Sequence, residues 1–124
     1  NQLRARVLES DLFSAVPGER FDVIVFNIPM LDKPIEEPLD IISCDRDGAL
    51  LTRYMREAKD HLAEGGTIYV GISNLSNRAA VLESLEGFVE SILYAEYFGI
   101  SSEWRWLVRA QPVPSVTSQR TASE

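Results

Sequence analysis

The segment Asn27-Ile28-Pro29-Met30 places a polar asparagine and a proline at the end of a predicted strand, where a ligand could bind. It follows an apolar run at residues 23–26, which is typical of a strand buried on both faces. Pro29 cannot donate to a β ladder, so the strand must end there. Ligands of open α/β sheets bind at the carboxyl ends of strands, and the Asn27 amide offers donors and an acceptor. The alternative is an asparagine that only hydrogen-bonds to nearby backbone groups.

A second polar position, Asp11-Leu12, follows another predicted strand at residues 3–10. The carboxylate of Asp11 could accept a hydrogen bond from a ligand at the same edge of the sheet. The alternative is that Asp11 caps the turn that follows, where Pro17 and Gly18 are typical turn residues. The two roles are compatible with each other.

The other polar residues indicate neither a metal site nor a catalytic nucleophile. Cys44 has no histidine or cysteine at ligand spacing, so no metal is predicted. His61, the only histidine, suits the last turn of a helix, where a positive charge is favourable. Ser73 and Asn74 follow a later predicted strand and are further candidates to line a pocket.

Composition limits the classes of partner. The chain has 124 residues, 45% of them hydrophobic and 25% charged, which is typical of one globular domain. A net charge of -7 disfavours nucleic acid as a partner. The lone Cys44 suits a reducing cytoplasm, and no apolar run is long enough to span a membrane. Because the first residue is Asn1 and not methionine, we expect a processed chain or a piece of a longer one.

The elements that must hold these residues alternate between strand and helix, which is typical of an α/β fold. The first strands are predicted at residues 3–10 and Phe21–Phe26. A loop without regular structure is predicted at residues 31–47, which contain Pro34 and Pro38. Loops of this length are usually functional or disordered, and the acidic charge of this one would repel nucleic acid.

A helix is predicted after this loop. Asp45 or Asp47 can cap its first turn, and Gly65-Gly66 can provide its left-handed end. Helical spacing gives it one apolar stripe, formed by Leu51, Tyr54, Met55, Ala58 and Leu62.

The next elements are a strand at residues 67–72 and a second helix that Ser76 or Asn77 can cap. This helix is predicted to run to about residue 86, with Gly87 as its stop. Its inward residues are predicted to be Ala80, Val81, Leu82 and Leu85.

The last third predicts an antiparallel hairpin. Strands are expected at residues 92–98 and 104–110, and a connection this short favours antiparallel pairing. Residues 111–124 are rich in Ser, Thr and Pro, which is typical of a mobile tail. We therefore expect a domain at residues 1–110 followed by this tail.

The order of these segments resembles the second half of a class I S-adenosylmethionine-dependent methyltransferase. The likeness is closest to the small-domain group that methylates amino nitrogens, including protein-glutamine and ribosomal-RNA guanine enzymes. In that group the strand usually ends in Asn-Pro-Pro-Tyr, so Ile28 and Met30 depart from the motif. The resemblance rests on a strand, Asp11-Leu12-Phe13, a turn, Phe21-Asp22, an apolar run and Asn27-x-Pro29.

The resemblance implies a Rossmann-like sheet with strand order 3-2-1-4-5-7-6 and helices on both faces. The chain would supply strands 3 to 7, and the antiparallel hairpin would close the sheet. The first two strands and the Gly-rich turn that holds the cofactor have no counterpart in the sequence, because Gly65-Gly66 precedes a strand. The resulting unpaired apolar edge is a template for association. We therefore expect an oligomer or a longer parent chain to complete the sheet.

The resemblance also implies roles for individual residues. Asn27 would accept hydrogen bonds from the acceptor nitrogen, and Pro29 would turn a carbonyl towards it, which makes both catalytic. Ile28 and Met30 would contact the substrate, although Met30 lacks the aromatic ring face of the motif. Asp11 would accept from the adenine amino group of S-adenosylmethionine. Leu12 would flank the adenine ring.

The resulting hypothesis is an S-adenosylmethionine-dependent methyltransferase that acts on a nitrogen of a protein, an RNA or a small molecule. The cofactor would bind in the complete protein, and this chain alone is expected to be inactive. A non-catalytic methyltransferase-like subunit that binds a partner through its open sheet edge is the alternative. A different nucleotide-binding α/β domain is a third interpretation, against which the Asn-x-Pro strand end argues.

Overall fold

The computed structural model describes residues 3–114, which form a mixed four-stranded sheet with two α-helices. The strands are β1 (Phe21–Phe26), β2 (Leu62–Ser73), β3 (Phe88–Phe98) and β4 (Glu103–Pro112). The helices are α1 (Ala49–Asp60) and α2 (Arg78–Leu85). Within the described residues no helix combines the length and hydropathy needed to cross a membrane.

The sheet has the strand order β1-β2-β4-β3. β1 and β2 are parallel, whereas β4 is antiparallel to both of its neighbours. Numbered as the resemblance implies, this order is 4-5-7-6, so the predicted arrangement of this half of the sheet is confirmed. The predicted hairpin is confirmed as well. Because Phe26 pairs with Val70, the residues that follow β1 lie beside the carboxyl end of β2.

The hydrophobic core lies on one face of the sheet. Ile24 of β1 and the alternate residues Ile68, Val70 and Ile72 of β2 point to this face and are buried. Four residues of the predicted stripe of α1, Leu51, Tyr54, Met55 and Ala58, pack on it and are buried. The fifth, Leu62, is buried as well but belongs to β2, and α2 packs beside α1. Both helices therefore cover the same face. The expectation of helices on both faces is not met within residues 3–114, where Val25 on the second face stays 69% exposed.

Helix α1 begins after the N-cap Gly48, with Asp45 supporting its first turn, and it ends earlier than predicted. The carboxylate of Asp45 accepts hydrogen bonds from the backbone N–H groups of Leu50 and Leu51, at 2.8 and 3.0 Å. These bonds satisfy two donors that the first helical turn leaves unpaired. Gly65-Gly66 does not end the helix, which stops at Asp60. The two glycines lie within β2, where the pairing with β1 is irregular and Gly65 has a φ of 77°.

Helix α2 has the cap and stop that the sequence predicts. Asn77, not Ser76, is the cap, and its side-chain oxygen accepts from Ala80 N at 2.9 Å. Gly87 follows the helix with a φ of 84°. One predicted inward residue is wrong, because Leu82 is 63% exposed, whereas Ser84 is buried.

Residues 3–10 do not form the predicted strand. They belong to no strand and are exposed along their length. A strand needs a neighbour that takes up its backbone hydrogen bonds, and no strand of the described chain pairs with this segment. The outer edge of β1 likewise has no partner among residues 3–114.

The loop at residues 31–47 is more ordered than predicted. It contains two short 3-10 helices, Pro38–Ile42 and Arg46–Gly48, and an isolated parallel bridge between Leu31 and Cys44. The predicted tail starts inside β4, and its residues 115–124 lie outside the described part of the chain. The domain boundary at residue 110 stays a prediction.

Candidate functional site

Asn27 lies at the carboxyl end of β1, on the face opposite the core. Since Ile24 and Phe26 point towards the core, alternation directs Asn27 to the second face, next to Gly71 of β2. A methyl group at Gly71 would lie 3.7 Å from Asn27 Oδ1 and only 2.8 Å from the Met30 Cε atom. The absence of a side chain at Gly71 therefore provides the space that Asn27 and Met30 occupy. Sequence reasoning missed Gly71, although a glycine inside a strand is a sign of a close approach.

The side chain of Asn27 is not used by the fold. Two other asparagines accept backbone hydrogen bonds: Asn74 Oδ1 from Trp104 N at 2.8 Å, and Asn77 Oδ1 from Ala80 N. Asn27 makes no side-chain hydrogen bond with any residue from 3 to 114, and it is exposed. This observation disfavours the interpretation of Asn27 as an asparagine that serves only the local backbone.

The predicted motif residues line one cavity of about 290 Å³. Ile28 is nevertheless 3% exposed and belongs to the hydrophobic core, so its side chain also anchors the motif. Residues from the loop and from β4 complete the lining of the cavity. The lining residues are Asn27, Ile28, Pro29, Met30, Leu31, Ile42, Ser43, Glu103 and Arg105.

The loop after the motif is fixed by backbone and side-chain hydrogen bonds. Leu31 N donates to Ser43 O at 2.9 Å, and Asp45 N donates to Leu31 O at 2.7 Å. The carboxylate of Asp32 accepts from Asp47 N at 2.6 Å and from Asn77 Nδ2 at 3.0 Å. These hydrogen bonds hold the pKa of Asp32 below its ordinary value, with the Asp47 backbone bond as the largest cause. The cavity wall is therefore tied to the start of α2.

An ion pair with a buried carboxylate, Glu103–Arg105, also lines the cavity. Glu103 is 5% exposed and accepts hydrogen bonds from Ser73 Oγ at 2.9 Å and from Arg105 Nε at 3.0 Å. Arg105 Nη2 donates to the second carboxylate oxygen at 3.2 Å. The bonds from Arg105, and to a lesser extent the bond from Ser73, lower the pKa of Glu103, so it is ionised at neutral pH. Sequence reasoning missed both charged residues, which lie far from Asn27 along the chain.

Asp11 and Leu12 lie apart from this cavity. The exposed carboxylate of Asp11 forms an ion pair with Arg53 of α1 at 2.8 Å, and this contact lowers the pKa of Asp11. Leu12 has a φ of 51° and lines a second cavity of about 370 Å³ against β1 and Tyr54. The structure thus brings Asn27, Ile28, Pro29 and Met30 together and leaves Asp11 and Leu12 in a separate place.

The fold and the strand-end cavity are those of a Rossmann-like α/β protein with a cavity at the carboxyl edge of its sheet. The sequence profile of the methyltransferase small domain family matches residues 1–102, and the chain belongs to that family. Methyltransferases of this family take their methyl group from S-adenosylmethionine. The resemblance stated from the sequence is therefore confirmed.

Two curated relatives are similar over part of their length. One, from Methanocaldococcus jannaschii, is provisionally assigned as a protein N5-glutamine methyltransferase. It is 32% identical over 92 residues, which cover 69% of this chain and 46% of the relative. The other is the ribosomal protein uL3 glutamine methyltransferase of Francisella tularensis subsp. tularensis. It is 36% identical over 81 residues, which cover 57% of this chain and 26% of the relative. The chain spans about half or less of the curated relatives it matches.

A solved structure supports the fold. The chain is similar to the E. cuniculi Mtq2–Trm112 complex, which methylates the translation termination factor eRF1. The TM-score is 0.59 at 23% identity, and the match covers 86% of this chain and 60% of that chain. The predicted fold class, a partial Rossmann-like methyltransferase sheet, is therefore confirmed.

The described residues fit only part of an S-adenosylmethionine molecule. The exposed Asp11 carboxylate and the apolar surface of Leu12 suit the adenine end, although Arg53 would share the carboxylate. Among residues 3–114, no strand-to-helix turn has the Gly-x-Gly spacing that would receive the rest of the cofactor.

Proposed function

We propose that the protein carrying this chain transfers a methyl group from S-adenosylmethionine to an amide nitrogen of a protein acceptor. Membership of the family and the two glutamine-methylating relatives support this activity. The observation that carries the proposal is the Asn27 side chain, which faces the strand-end cavity with its hydrogen-bonding groups unused by residues 3–114. Among the acceptors considered, RNA is disfavoured by the net charge of -7.

In this proposal Asn27 is a catalytic residue that orients the acceptor. Its Oδ1 atom accepts a hydrogen bond from the amide N–H, which directs the nitrogen lone pair towards the methyl group. When bound, S-adenosylmethionine supplies that methyl group on a sulfonium, which is a strong electrophile. Positioning can then supply most of the rate, and the displaced proton passes to water in the open cavity. No strong base is needed.

The neighbouring residues shape the pocket. Pro29, which lies three residues beyond the end of β1, is proposed to direct a backbone carbonyl of the motif to the acceptor nitrogen. Met30 packs over Gly71 and offers the acceptor an apolar, adaptable surface in place of an aromatic ring. Ile28 fixes the motif from the core side. Asp11 and Leu12 are proposed to contact the adenine.

We also propose that a longer parent chain or a second chain completes the sheet beside β1. Within residues 3–114 the outer edge of β1 has no partner, and Val23 and Val25 on its second face are exposed, which supports this arrangement. A cytoplasmic location is proposed as well, because the lone thiol of Cys44 suits a reducing compartment.

A non-catalytic subunit is the second candidate function. It is favoured by the replacement of two motif positions with Ile28 and Met30 and by the apolar edge that β1 offers to a partner. In that case Asn27 would have no role in any methyl transfer.

The substitution Asn27→Ala in the complete protein separates the two candidates. An orienting role predicts that methyl transfer from labelled S-adenosylmethionine falls at least about a hundredfold, as is common when a positioning group is lost. Cofactor affinity should stay near wild type, and Asn27→Asp, which keeps the shape, is the matched variant. Unchanged turnover in Asn27→Ala would remove Asn27 from the mechanism, and absence of transfer in the wild type would favour the subunit.

A further inference from the structure

Arg105 is held in one orientation at the wall of the candidate acceptor cavity. Its Nε and Nη2 atoms donate to both oxygens of Glu103, and its guanidinium carbon lies 4.6 Å from the centre of the Phe98 ring. Glu103 is itself fixed by Ser73 Oγ. The side chain of Arg105 is 52% exposed, whereas that of Glu103 is 7% exposed. The buried carboxylate of Glu103 therefore fixes the guanidinium of Arg105, which lines the cavity.

This arrangement leaves hydrogen-bond donors for a ligand. A guanidinium has five N–H groups in a planar fork, and two of the Arg105 donors are used by Glu103. Within residues 3–114 its other donors contact no acceptor at hydrogen-bond distance. Because Asn27 lines the same cavity, a molecule bound there can meet the acceptor atom of Asn27 and the free donors of Arg105.

The charges around Arg105 indicate the kind of group it binds. The adjacent carboxylate of Glu103 cancels the guanidinium charge, and the chain as a whole is acidic. A phosphate or another dianion would be repelled by this carboxylate. A neutral carbonyl oxygen accepts from the free donors without that cost, and every peptide group of a polypeptide offers one.

We propose that Arg105 is a specificity-determining residue that donates to a main-chain carbonyl oxygen of the acceptor polypeptide, while Glu103 and Ser73 position it. The inference rests on the proposed function. It names a polypeptide, not a free amide, as the substrate class of the methyl transfer. The acceptor polypeptide would present the side chain to be methylated to Asn27. A main-chain carbonyl near that side chain would accept from Arg105.

The test measures binding of a short, neutral, capped peptide with one central glutamine to the 124-residue chain. NMR spectra of ¹⁵N-labelled protein report the Arg105 Nε–H signal and the backbone signals of the cavity. The peptide should shift the Arg105 Nε–H signal in the wild type. Arg105→Lys keeps the charge beside Glu103 but loses the fork, so peptide affinity should fall about tenfold.

Arg109 provides the matched control. It lies on the same strand and the same face as Arg105, is exposed, and does not line the cavity. Arg109→Lys should bind the peptide as the wild type does. If Arg105→Lys fails to fold, the pair Glu103→Gln with Arg105→Gln removes both charges together, leaves no unpaired buried carboxylate, and should show the same loss of affinity.

The outcomes separate this inference from the proposed function. Equal peptide affinity for the wild type and Arg105→Lys, or no peptide binding by the folded wild type, would overturn the role of Arg105. Methyl transfer that depends on Asn27 would then still support the proposed function. Conversely, Arg105-dependent peptide binding without methyl transfer by the complete protein would keep Arg105 as a peptide-binding residue and reject the proposed function.

Discussion

The two sides of β1 differ in how completely the described chain builds them. The acceptor side, residues 27–48 with Ser73, Glu103 and Arg105, has a lined cavity, a loop fixed by hydrogen bonds and a buried ionic wall. The proposed cofactor side, residues 3–20, has an exposed segment without a strand partner and two exposed ion pairs, Arg6–Glu19 and Asp11–Arg53. Both sides derive from short segments that follow a predicted strand, so sequence pattern alone does not explain the difference.

The difference shows what each side needs from the sheet. The acceptor side is built on β1, β2 and β4, which pair with one another within the described residues. The cofactor side depends on the strand predicted at residues 3–10. This segment has no strand partner within residues 3–114. Local pattern creates a strand only where a neighbour takes up its backbone groups.

Glycine substitutions should separate the two sides most strongly. Gly48 on the acceptor side has a φ of 65°, and an added methyl group would collide with Ala80 Cβ. Gly18 on the cofactor side has a φ of 74° and open space around it. Gly48→Ala should lower the free energy of unfolding by about 2–5 kcal/mol, through backbone strain and overpacking. Gly18→Ala should lower it by about 1–2 kcal/mol, through strain alone.

Denaturant unfolding of both variants measures this difference. Equal losses would mean that the contact between α1 and α2 is not tightly packed at Gly48. In that event the acceptor side would be no more tightly packed than the cofactor side.

The two sides should also differ, by a smaller amount, in how the free energy of unfolding depends on pH. The pKa of Glu103 is lowered in the folded protein by Arg105 and Ser73, so its ionised form stabilises the fold above its ordinary pKa of 4.5. This contribution is lost as the pH falls through the folded pKa, which lies below that value. The stability lost in Glu103→Gln should therefore be full at pH 7 and should shrink in acid.

Asp11→Asn is the control on the cofactor side. The pKa of Asp11 is also lowered, with the Arg53 hydrogen bond as its main cause, but the ion pair is exposed to solvent and screened by salt. We expect a smaller loss at pH 7, which disappears at high ionic strength. A pH profile of Asp11→Asn as steep as that of Glu103→Gln would indicate that the cofactor side is as well formed as the acceptor side.

The elements that the sequence predicts correctly are those whose signals are local. The Asp45 cap, the α1 stripe, the Asn77 cap and the closing hairpin depend on nearby residues, and the structure confirms each of them. The predicted end of α1 at residues 65–66 is wrong. β2 already begins at Leu62, which pairs with Phe21, so strand pairing overrides the glycine stop.

The sequence predicts only those residues of the candidate site that are adjacent in the chain. Asn27, Pro29 and Met30 are adjacent in sequence and share a cavity, as a strand-end motif should. Glu103 and Arg105 reach the same cavity through the pairing of β4 with β2, which joins Ser73 to Arg105. No spacing within a single segment reveals such a contact, so this wall of the site could not be predicted without the sheet.

The most direct test of the account is a calorimetric titration of the folded, monomeric 124-residue chain with S-adenosylhomocysteine, with light scattering in the same buffer. Because no strand-to-helix turn within residues 3–114 has the Gly-x-Gly spacing that would receive the rest of the cofactor, we predict no micromolar binding by the monomer. Addition of the segment or chain that completes β1 should restore it. Micromolar binding by the monomer, about -8 kcal/mol, would contradict the account, because the cofactor pocket would then be complete without a partner for β1.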